Sequence, residues 1–335
     1  MRAISLSERK YDDMFDIFLL LFGLIVLIGG GDVLVRGASN IALRFKISPL
    51  VVGLTIVAFG TSSPELFISV QSALKGSPDM TMGNVIGSNI CNLALVLGLT
   101  AVFSPININS SSIRIDWPMA MGSSFLLYIL VLENYLERKE GILFVVILLG
   151  YIIYLIQKSR SVKNKEEALI SIDEPEEDTP ANAPAKKHMA KDVLFIVAGC
   201  LGLYFGSEWF VGSAKEIFLD MGVSERVIGI MVLAIGTSLP ELVTAIVAAL
   251  KKNTDLAIGN LMGSNIFNVL SILGITSIIK EIHVSPAIMG DMFWMLGVTL
   301  VLLPLMVFKR RLGRLQGSIL LSIYFYYTYS ILIAV

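Results

Sequence analysis

The chain contains one internal repeat, which constrains its fold more than any other feature of the sequence. GTSSPEL at residue 60 recurs as GTSLPEL at residue 236, and GNVIGSNICN at residue 83 recurs as GNLMGSNIFN at residue 259. Both offsets are 176 residues, and the same offset holds without a gap from residue 23 to residue 98 of the first half. An ungapped repeat of this length indicates that a whole structural block occurs twice.

Long uncharged apolar runs indicate that both blocks lie in a membrane. Of the residues, 55% are hydrophobic and only 16% are charged, whereas a soluble globular protein has roughly 25% charged residues. Runs such as GILFVVILLGYIIYLI approach the roughly 17 to 25 residues that cross a bilayer. The apolar stretches predict an all-α membrane protein with ten transmembrane helices, which start near residues 14, 48, 80, 115, 138, 191, 224, 255, 287 and 314.

The ten predicted spans divide into two sets of five around a polar linker. We predict a tail at residues 1–13, a first five-helix repeat at 14–157, a linker at 158–190 and a second five-helix repeat at 191–335. Because five is an odd number, the second repeat must enter the bilayer from the opposite side, so the repeats are inverted. Inverted repeats are an architecture of secondary transporters, which bind substrate near the midplane through broken helices.

The distribution of basic residues predicts the orientation in the membrane. If the N-terminus is outside, the inner loops hold the larger share of Lys and Arg, as the positive-inside rule requires. Both termini are then outside, with the 1–13 tail extracellular, and linker 158–190 is cytoplasmic. The net charge of −1 and the lack of a dense basic face predict no nucleic-acid partner, and no obligate protein partner is evident.

Two glutamates, Glu65 and Glu241, are predicted to lie deep in the second and seventh spans. Apolar sequence continues for two or more turns on both sides of each, where a charge is costly and usually functional. Pro64 and Pro240 precede them, lack an N–H and clash with the carbonyl four residues earlier. We therefore expect broken helices with free backbone carbonyls, which are tolerated at this depth where they line a cavity.

Hydroxyl and amide side chains cluster around these glutamates in the sequence. At the breaks we expect hydroxyls that supply oxygen ligands or cap the following half-helix, from Thr61, Ser62, Thr237 and Ser238. In the next span of each half, a serine and an asparagine four residues apart share a helix face; these are Ser88 with Asn92, and Ser264 with Asn268. Four further asparagines either line the site or only tie helices together, namely Asn84, Asn89, Asn260 and Asn265.

This donor set predicts a site for a hard cation. It offers carboxylates, amides, hydroxyls and carbonyls without imidazole or thiolate, and calcium takes six to eight such oxygens. Two carboxylates balance one divalent ion, so sodium ions that competed for them would couple the two fluxes. A phosphate or amino-acid site would show Arg or Lys here, and we expect no cofactor.

The paired GTSxPE and GNxxGSNxxN blocks resemble the two alpha repeats of the calcium/cation antiporter superfamily, most closely its prokaryotic-type sodium/calcium exchanger branch. The resemblance implies that Glu65 and Glu241 hold Ca²⁺ with the carbonyls of Thr61 and Thr237. It implies flanking Na⁺ positions, made by the carbonyls of Ala58 and Ala234 and by Ser62, Ser88, Ser238 and Ser264. It further implies that the first and sixth spans slide against the other eight.

The coupling ion stays open at the level of sequence. Asn92 and Asn268 resemble the potassium-independent type, since some relatives, including potassium-dependent ones, have Asp at the position of Asn268. The Thr-Ser pairs favour sodium, because the proton-coupled branch usually has Asn there. A proton/calcium exchanger, a potassium-dependent exchanger and a cation channel of the same fold remain alternatives. A membrane enzyme is disfavoured, because no nucleophile and base accompany the carboxylates.

Two further acids, Asp32 and Glu208, correspond at the same offset in the first and sixth spans. Arg36 follows Asp32 by one helical turn and can pair with it. We therefore expect a structural or gating role for the two acids rather than ion binding. The cysteines, Cys91 and Cys200, match no metal or redox spacing and are expected to pack in apolar segments.

Overall fold

The computed structural model describes residues 6–173, 185–221, 234–286 and 288–334, and most of them are helical. The described part of the first half contains six helices, which are α1 Leu6–Arg44, α2 Pro49–Thr61, α3 Ser63–Leu74, α4 Pro78–Phe103, α5 Ser112–Glu133 and α6 Arg138–Asp173. The described part of the second half contains α7 Ala185–Asp220, α8 Ala234–Thr237, α9 Leu239–Leu250, α10 Thr254–Ile279, α11 Ile288–Val307 and α12 Arg314–Ala334.

Within the described residues, seven helices are long and apolar enough to cross a membrane, or eight if the bent pair α2–α3 forms one span. Seven helices begin within three residues of the predicted starts. Helix α1 begins earlier than the predicted start near 14, at Leu6, and α7 earlier than the one near 191, at Ala185. The predicted start near 224 lies outside the described residues. Helix α6 continues to Asp173 and α7 begins at Ala185. Both helices therefore extend into the stretch predicted as a linker.

Two central helices, α4 and α10, form the core of the bundle. Of their most apolar 18-residue windows, 83% of the residues are buried inside the protein, compared with 22% to 33% for the other long helices. Small residues allow this close packing: a Cβ added to Gly259 of α10 would lie 2.5 Å from the Leu50 carbonyl oxygen of α2. The motifs that carry the asparagines and serines thus lie at the centre of the molecule.

The two halves are joined by two short antiparallel strand pairs. Strands β1 (Ile106–Asn107) and β2 (Tyr135–Leu136) belong to the first half, and β3 (Ile282–His283) and β4 (Arg311–Leu312) to the second. Strand β1 pairs with β4 and β2 pairs with β3. At the 176-residue offset β1 corresponds to β3 and β2 to β4, so the two pairings are equivalent and each crosses between the halves.

Helices α1 and α7 pack against each other along a row of glycines. A Cβ added to Gly23 would lie 2.8 Å from the Phe210 backbone nitrogen, and one added to Gly30 would lie 2.7 Å from that of Leu203. The partner number falls as the glycine number rises, so the helices are antiparallel. At one end Asp192 of α7 accepts hydrogen bonds from Asn40 (2.9 Å) and from Arg44 (2.9 Å to Nη2). This α1–α7 pair is therefore a tightly joined unit.

Candidate functional site

The helix carrying each glutamate is broken immediately before it. Ser62 separates α2 from α3 with φ −86° and ψ 5°, and Ser238 separates α8 from α9 with φ −92° and ψ 5°. The axes of α2 and α3 differ by 46°. Pro64 and Pro240 lie in the first turn of the following helix, where the missing N–H is tolerated. The predicted breaks therefore occur at equivalent positions in both halves.

Glu65 and Glu241 lie in the first turns of α3 and α9, and both are fully buried. Oε1 of Glu241 accepts a hydrogen bond from Ser62 Oγ at 3.0 Å and another from Ser264 Oγ at 3.4 Å. Because Ser62 belongs to the first half and Ser264 to the second, residues from both halves surround this carboxylate. The structure thus brings the two motif blocks together.

Glu65 has different surroundings from its repeat mate. Both of its carboxylate oxygens, and Oε2 of Glu241, have no hydrogen-bond partner among the described residues. A buried carboxylate without a partner costs several kcal/mol of folding free energy. The cost disappears if a cation binds there, and the helix N-terminus in front of each glutamate supplies only part of the compensation.

Neutral oxygens without partners complete this cluster. Asn268 Nδ2 donates to Ser88 Oγ at 3.0 Å and so links α10 to α4. The unpartnered oxygens among the predicted site residues are Glu65 Oε1 and Oε2, Glu241 Oε2, Asn92 Oδ1, Asn268 Oδ1 and Ser238 Oγ. In the described part of the chain, no group of three or more His, Cys, Asp or Glu side chains is placed to hold a metal. The cluster therefore offers two carboxylates and neutral oxygens, a donor set suited to Na⁺ or Ca²⁺.

Of the two roles predicted for the hydroxyls at the breaks, ligand or cap, the capping role is wrong for Ser62 and Ser238. No side-chain cap is formed by Ser62 or Ser238. The Ser62 hydroxyl points to Glu241 instead, and Thr61 Oγ1 donates to Asn260 Oδ1 at 3.2 Å. Thr61 Oγ1 also lies 3.2 Å from the Val57 carbonyl oxygen of its own helix, so only Ser62 exchanges a local cap for a contact across the repeat.

The remaining predicted ligands lie along the same breaks. Ala58 is buried at the beginning of the turn Ala58–Thr61, Ala234 begins α8, and Thr237 is half-buried at its end. The carbonyl of Ala58 accepts a hydrogen bond from the Ser62 N–H at 2.9 Å. The Thr61 hydroxyl also lies 3.3 Å from this carbonyl oxygen, so an ion at its second lone pair would take the place of that hydroxyl.

Asn89 and Asn265 tie the two central helices together. Asn89 Nδ2 donates to the Asn265 carbonyl at 3.3 Å, and Asn265 Nδ2 donates to the Asn89 carbonyl at 3.2 Å. The two bonds are related by the 176-residue offset, so each is the repeat equivalent of the other. Asn84 also serves packing, since its Nδ2 donates to Ser69 Oγ at 2.9 Å.

Ser207 is a contact that the sequence reasoning missed. Its Oγ donates to the Gly236 carbonyl at 2.9 Å, so one of the carbonyls expected to be free is occupied by a hydroxyl of α7. The residue at the equivalent position of the first half is Gly31. The repeat pattern therefore gave no signal for Ser207.

A cavity of about 280 Å³ reaches both breaks from one side of the bundle. It lies between α7 and the glutamate-bearing helices and is lined near the breaks by Pro64, Gly236, Thr237 and Pro240. Gln71, Glu208 and Val211 line its other part. The cavity thus lies beside both breaks, and the two glutamates are buried behind its wall.

Comparison with known proteins gives consistent matches over nearly the whole chain. The family model described as "Sodium/calcium exchanger protein" matches residues 15–157 and 191–333. The sodium/calcium exchanger MaX1 of Methanosarcina acetivorans is 29% identical over 336 residues, covering 91% of this chain and 95% of MaX1. A protein of Alkalimonas amylolytica provisionally named as the antiporter CaxA is 38% identical over 315 residues, covering 92% of this chain and 96% of that protein.

A solved structure shows the same fold. The sodium-calcium exchanger NCX_Mj, soaked with zero Na⁺ and Ca²⁺, superimposes with a TM-score of 0.79 at 28% identity. The match covers 95% of this chain and 99% of that chain. Crystals of the same exchanger soaked with 2.5 mM Na⁺ and 0.1 mM Ca²⁺ match with a TM-score of 0.76.

Proposed function

The chain belongs to the sodium/calcium exchanger family of multi-pass membrane antiporters, and from this premise we propose that it exchanges Na⁺ for Ca²⁺ by alternating access. The ions bind between Glu65 and Glu241, with Ca²⁺ held by the two carboxylates and by neutral oxygens around them. Neutral oxygens of the other predicted ligands complete the Ca²⁺ position and the flanking Na⁺ positions. These ligands are Ala58, Thr61, Ser62, Ser88, Asn92, Ala234, Thr237, Ser238, Ser264 and Asn268.

One observation carries this proposal: both oxygens of Glu65 and one of Glu241 are buried without a hydrogen-bond partner among the described residues. Such carboxylates favour a dehydrated cation over an empty site, because no protein group compensates their charge. Two negative charges neutralise one Ca²⁺ or two Na⁺. Occupation of the same carboxylates by one ion or the other therefore couples the two fluxes.

Sodium is favoured over the proton by the hydroxyl-rich breaks and by the relatives. Ser62 and Ser264 already contact Glu241, and such hydroxyls can serve Na⁺ as ligands, whereas a bound proton needs no such shell. MaX1 and NCX_Mj are both named as exchangers of sodium and calcium. A proton/calcium exchanger is the first alternative, and a potassium-dependent exchanger or a cation channel of this fold follow it.

We further propose ten transmembrane helices in two inverted repeats, with both termini outside and linker 158–190 cytoplasmic. The antiparallel packing of α1 on its repeat mate α7 and the equivalent strand pairs support the inversion. The α1–α7 pair slides against the other helices to expose the site to each side in turn.

The test is uptake of calcium-45 into proteoliposomes loaded with Na⁺ and diluted into Na⁺, K⁺ or choline medium at clamped pH. We expect uptake only when an outward Na⁺ gradient is present, and no dependence on external K⁺. Empty liposomes and liposomes with the Glu65→Gln, Glu241→Gln protein serve as controls.

Each alternative predicts a different pattern in the same assay. Uptake that ignores Na⁺ but follows an imposed pH gradient would establish proton coupling. A requirement for external K⁺ would establish the potassium-dependent type. Flux that persists without any counter-ion gradient would indicate a channel and refute exchange.

A further inference from the structure

Asp32 of α1 forms an ion pair with the helix that carries Glu241. Its carboxylate contacts Lys251 Nζ, just beyond the end of α9, and Arg36 Nε at 2.7 Å. The Asp32 and Lys251 side chains are 30% and 34% exposed, so the pair lies at the edge of the packed interface. Lys251 Nζ also donates to the Asp32 backbone carbonyl at 3.4 Å.

Close packing accompanies this ion pair. A Cβ added to Gly31 of α1 would lie 2.9 Å from Val243 Cγ1 of α9. Further along α1, Asn253 Nδ2 donates to Ser39 Oγ at 3.1 Å. Helices α1 and α9 therefore leave no passage to the site between them.

The repeat mates of Asp32 and Lys251 do not form an ion pair with each other. At the 176-residue offset, Asp32 corresponds to Glu208 and Lys251 corresponds to Lys75. Glu208 lines the 280 Å³ cavity, it makes no ion pair with a described residue, and Lys75 is exposed at the end of α3. Phe67, the mate of Val243, lines the same cavity and is 64% exposed. The interface of α7 with α3 is thus open where that of α1 with α9 is closed.

We propose that Asp32–Lys251 and Glu208–Lys75 are two alternating latches, of which one forms as the other breaks when access to the ion site changes sides. Repeats that exchange conformations replace each contact on one side by its repeat mate on the other. The structure has the first latch formed and the second broken. This inference rests on the proposed alternating access, and it makes four residues distant from the ions positioning residues for the transport cycle.

The chemistry of the pairs suits this role. Partly exposed ion pairs stabilise a conformation only modestly, by roughly two- to five-fold in an equilibrium constant, so a latch of this kind opens in every cycle. Arg36 is absent from the second half, where Gly212 is its mate. Asp32 therefore keeps Arg36 as a cationic partner when its latch opens. Glu208 has no such second partner, so its ion pair depends on Lys75.

The test measures how fast a water-soluble maleimide labels a cysteine in the cavity of purified protein. The reporter is Gln71→Cys in a chain with Cys91→Ala and Cys200→Ala, and labelling requires the cavity to be open. Lys251→Gln weakens the existing latch and is expected to lower the labelling rate by up to about five-fold. Lys75→Gln and Glu208→Gln weaken the opposite latch and are expected to raise the labelling rate. Lys252→Gln removes an exposed charge beside Lys251 and should change nothing.

Opposite shifts from Lys251→Gln and Lys75→Gln support the proposal, and shifts of the same sign, or an equal effect of Lys252→Gln, overturn it. A second measurement does not depend on charge: the pair Lys75→Cys, Glu208→Cys should be joined by a bifunctional maleimide long enough to span a lysine–glutamate ion pair, in protein that cycles between its two states. Failure to cross-link in protein that cycles also overturns the proposal. Because labelling reports conformation rather than flux, these results remain distinct from failure of sodium/calcium exchange.

Discussion

At the scale of single residues, the site is organised by groups that lack partners. Glu65 and Glu241 have equivalent positions, yet only Glu241 accepts hydroxyl hydrogen bonds from described residues. The protein therefore has two carboxylates in different surroundings within a repeat that predicts identical ones. This difference matches the closed and open sides of the bundle, since ion-pair Asp32–Lys251 closes only one of them.

Glu65→Gln is expected to abolish calcium binding without unfolding the protein. The amide keeps the shape of the side chain, and removal of a buried unpaired charge leaves the ion-free protein equally or more stable. Bound calcium at 100 times its dissociation constant stabilises the wild type by about 2.7 kcal/mol. Thermal unfolding with and without Ca²⁺ should show that this stabilisation is lost in the variant.

Glu216→Gln is the matched control, because it removes an exposed acid of α7 and should retain the full calcium effect. A Glu65→Gln protein that still gained stability from calcium would contradict the site. Asn92→Ala and Asn268→Ala each remove a neutral ligand, so they should weaken calcium exchange without abolishing it.

At the scale of elements, the α1–α7 pair depends on small residues. A Cβ added to Gly23 or to Gly30 of α1 would lie within about 3 Å of backbone atoms of α7. Small residues let membrane helices approach closely and make van der Waals contact along their length. The pair is therefore expected to move as one unit during transport.

Gly30→Ala is expected to destabilise the protein by about 1 to 3 kcal/mol, as overpacking of a close contact usually does. The added methyl would lie 2.7 Å from the Leu203 nitrogen, and backbone atoms cannot move aside like a flexible side chain. Gly29→Ala is the control, since a Cβ there has no neighbour within 4 Å. Melting temperatures of the two variants in detergent check the prediction. Equal values would show that the close contact of α1 with α7 at Gly30 does not limit the size of the side chain there.

At the scale of the whole molecule, the two halves are interleaved. Strand β1 pairs with β4 and β2 with β3, and the central asparagines exchange bonds between α4 and α10. The strands of each half therefore find their pairing partners only in the other half, and the same is true of its central helix. The site between Glu65 and Glu241 exists only when both halves are assembled.

A chain cut between residues 178 and 179 should therefore still assemble when both pieces are made together. We expect the tagged first piece to co-purify with the second and to regain calcium-dependent stabilisation, whereas either piece alone aggregates. Co-purification measured in detergent checks the result. A first piece that is stable and monodisperse by itself would show that the cross-repeat contacts contribute little.

The sequence by itself determined the membrane class, the two repeats and the residue types of the site. Apolar length, the 176-residue offset and the prolines before each glutamate are local properties, so they can be read without knowing which helices touch. The same holds for most helix starts, whereas α1 and α7 begin several residues before the predicted positions because polar sequence extends their first turns.

Only the tertiary structure decided how the two halves differ. The hydroxyl of Ser62 contacts Glu241 instead of capping its own helix, and Ser207 occupies the carbonyl of Gly236. A close repeat of residue types predicts similar surroundings in the two halves, whereas a transporter has one side closed at a time. Which side is closed depends on contacts between distant helices, and no local pattern of residues encodes that choice.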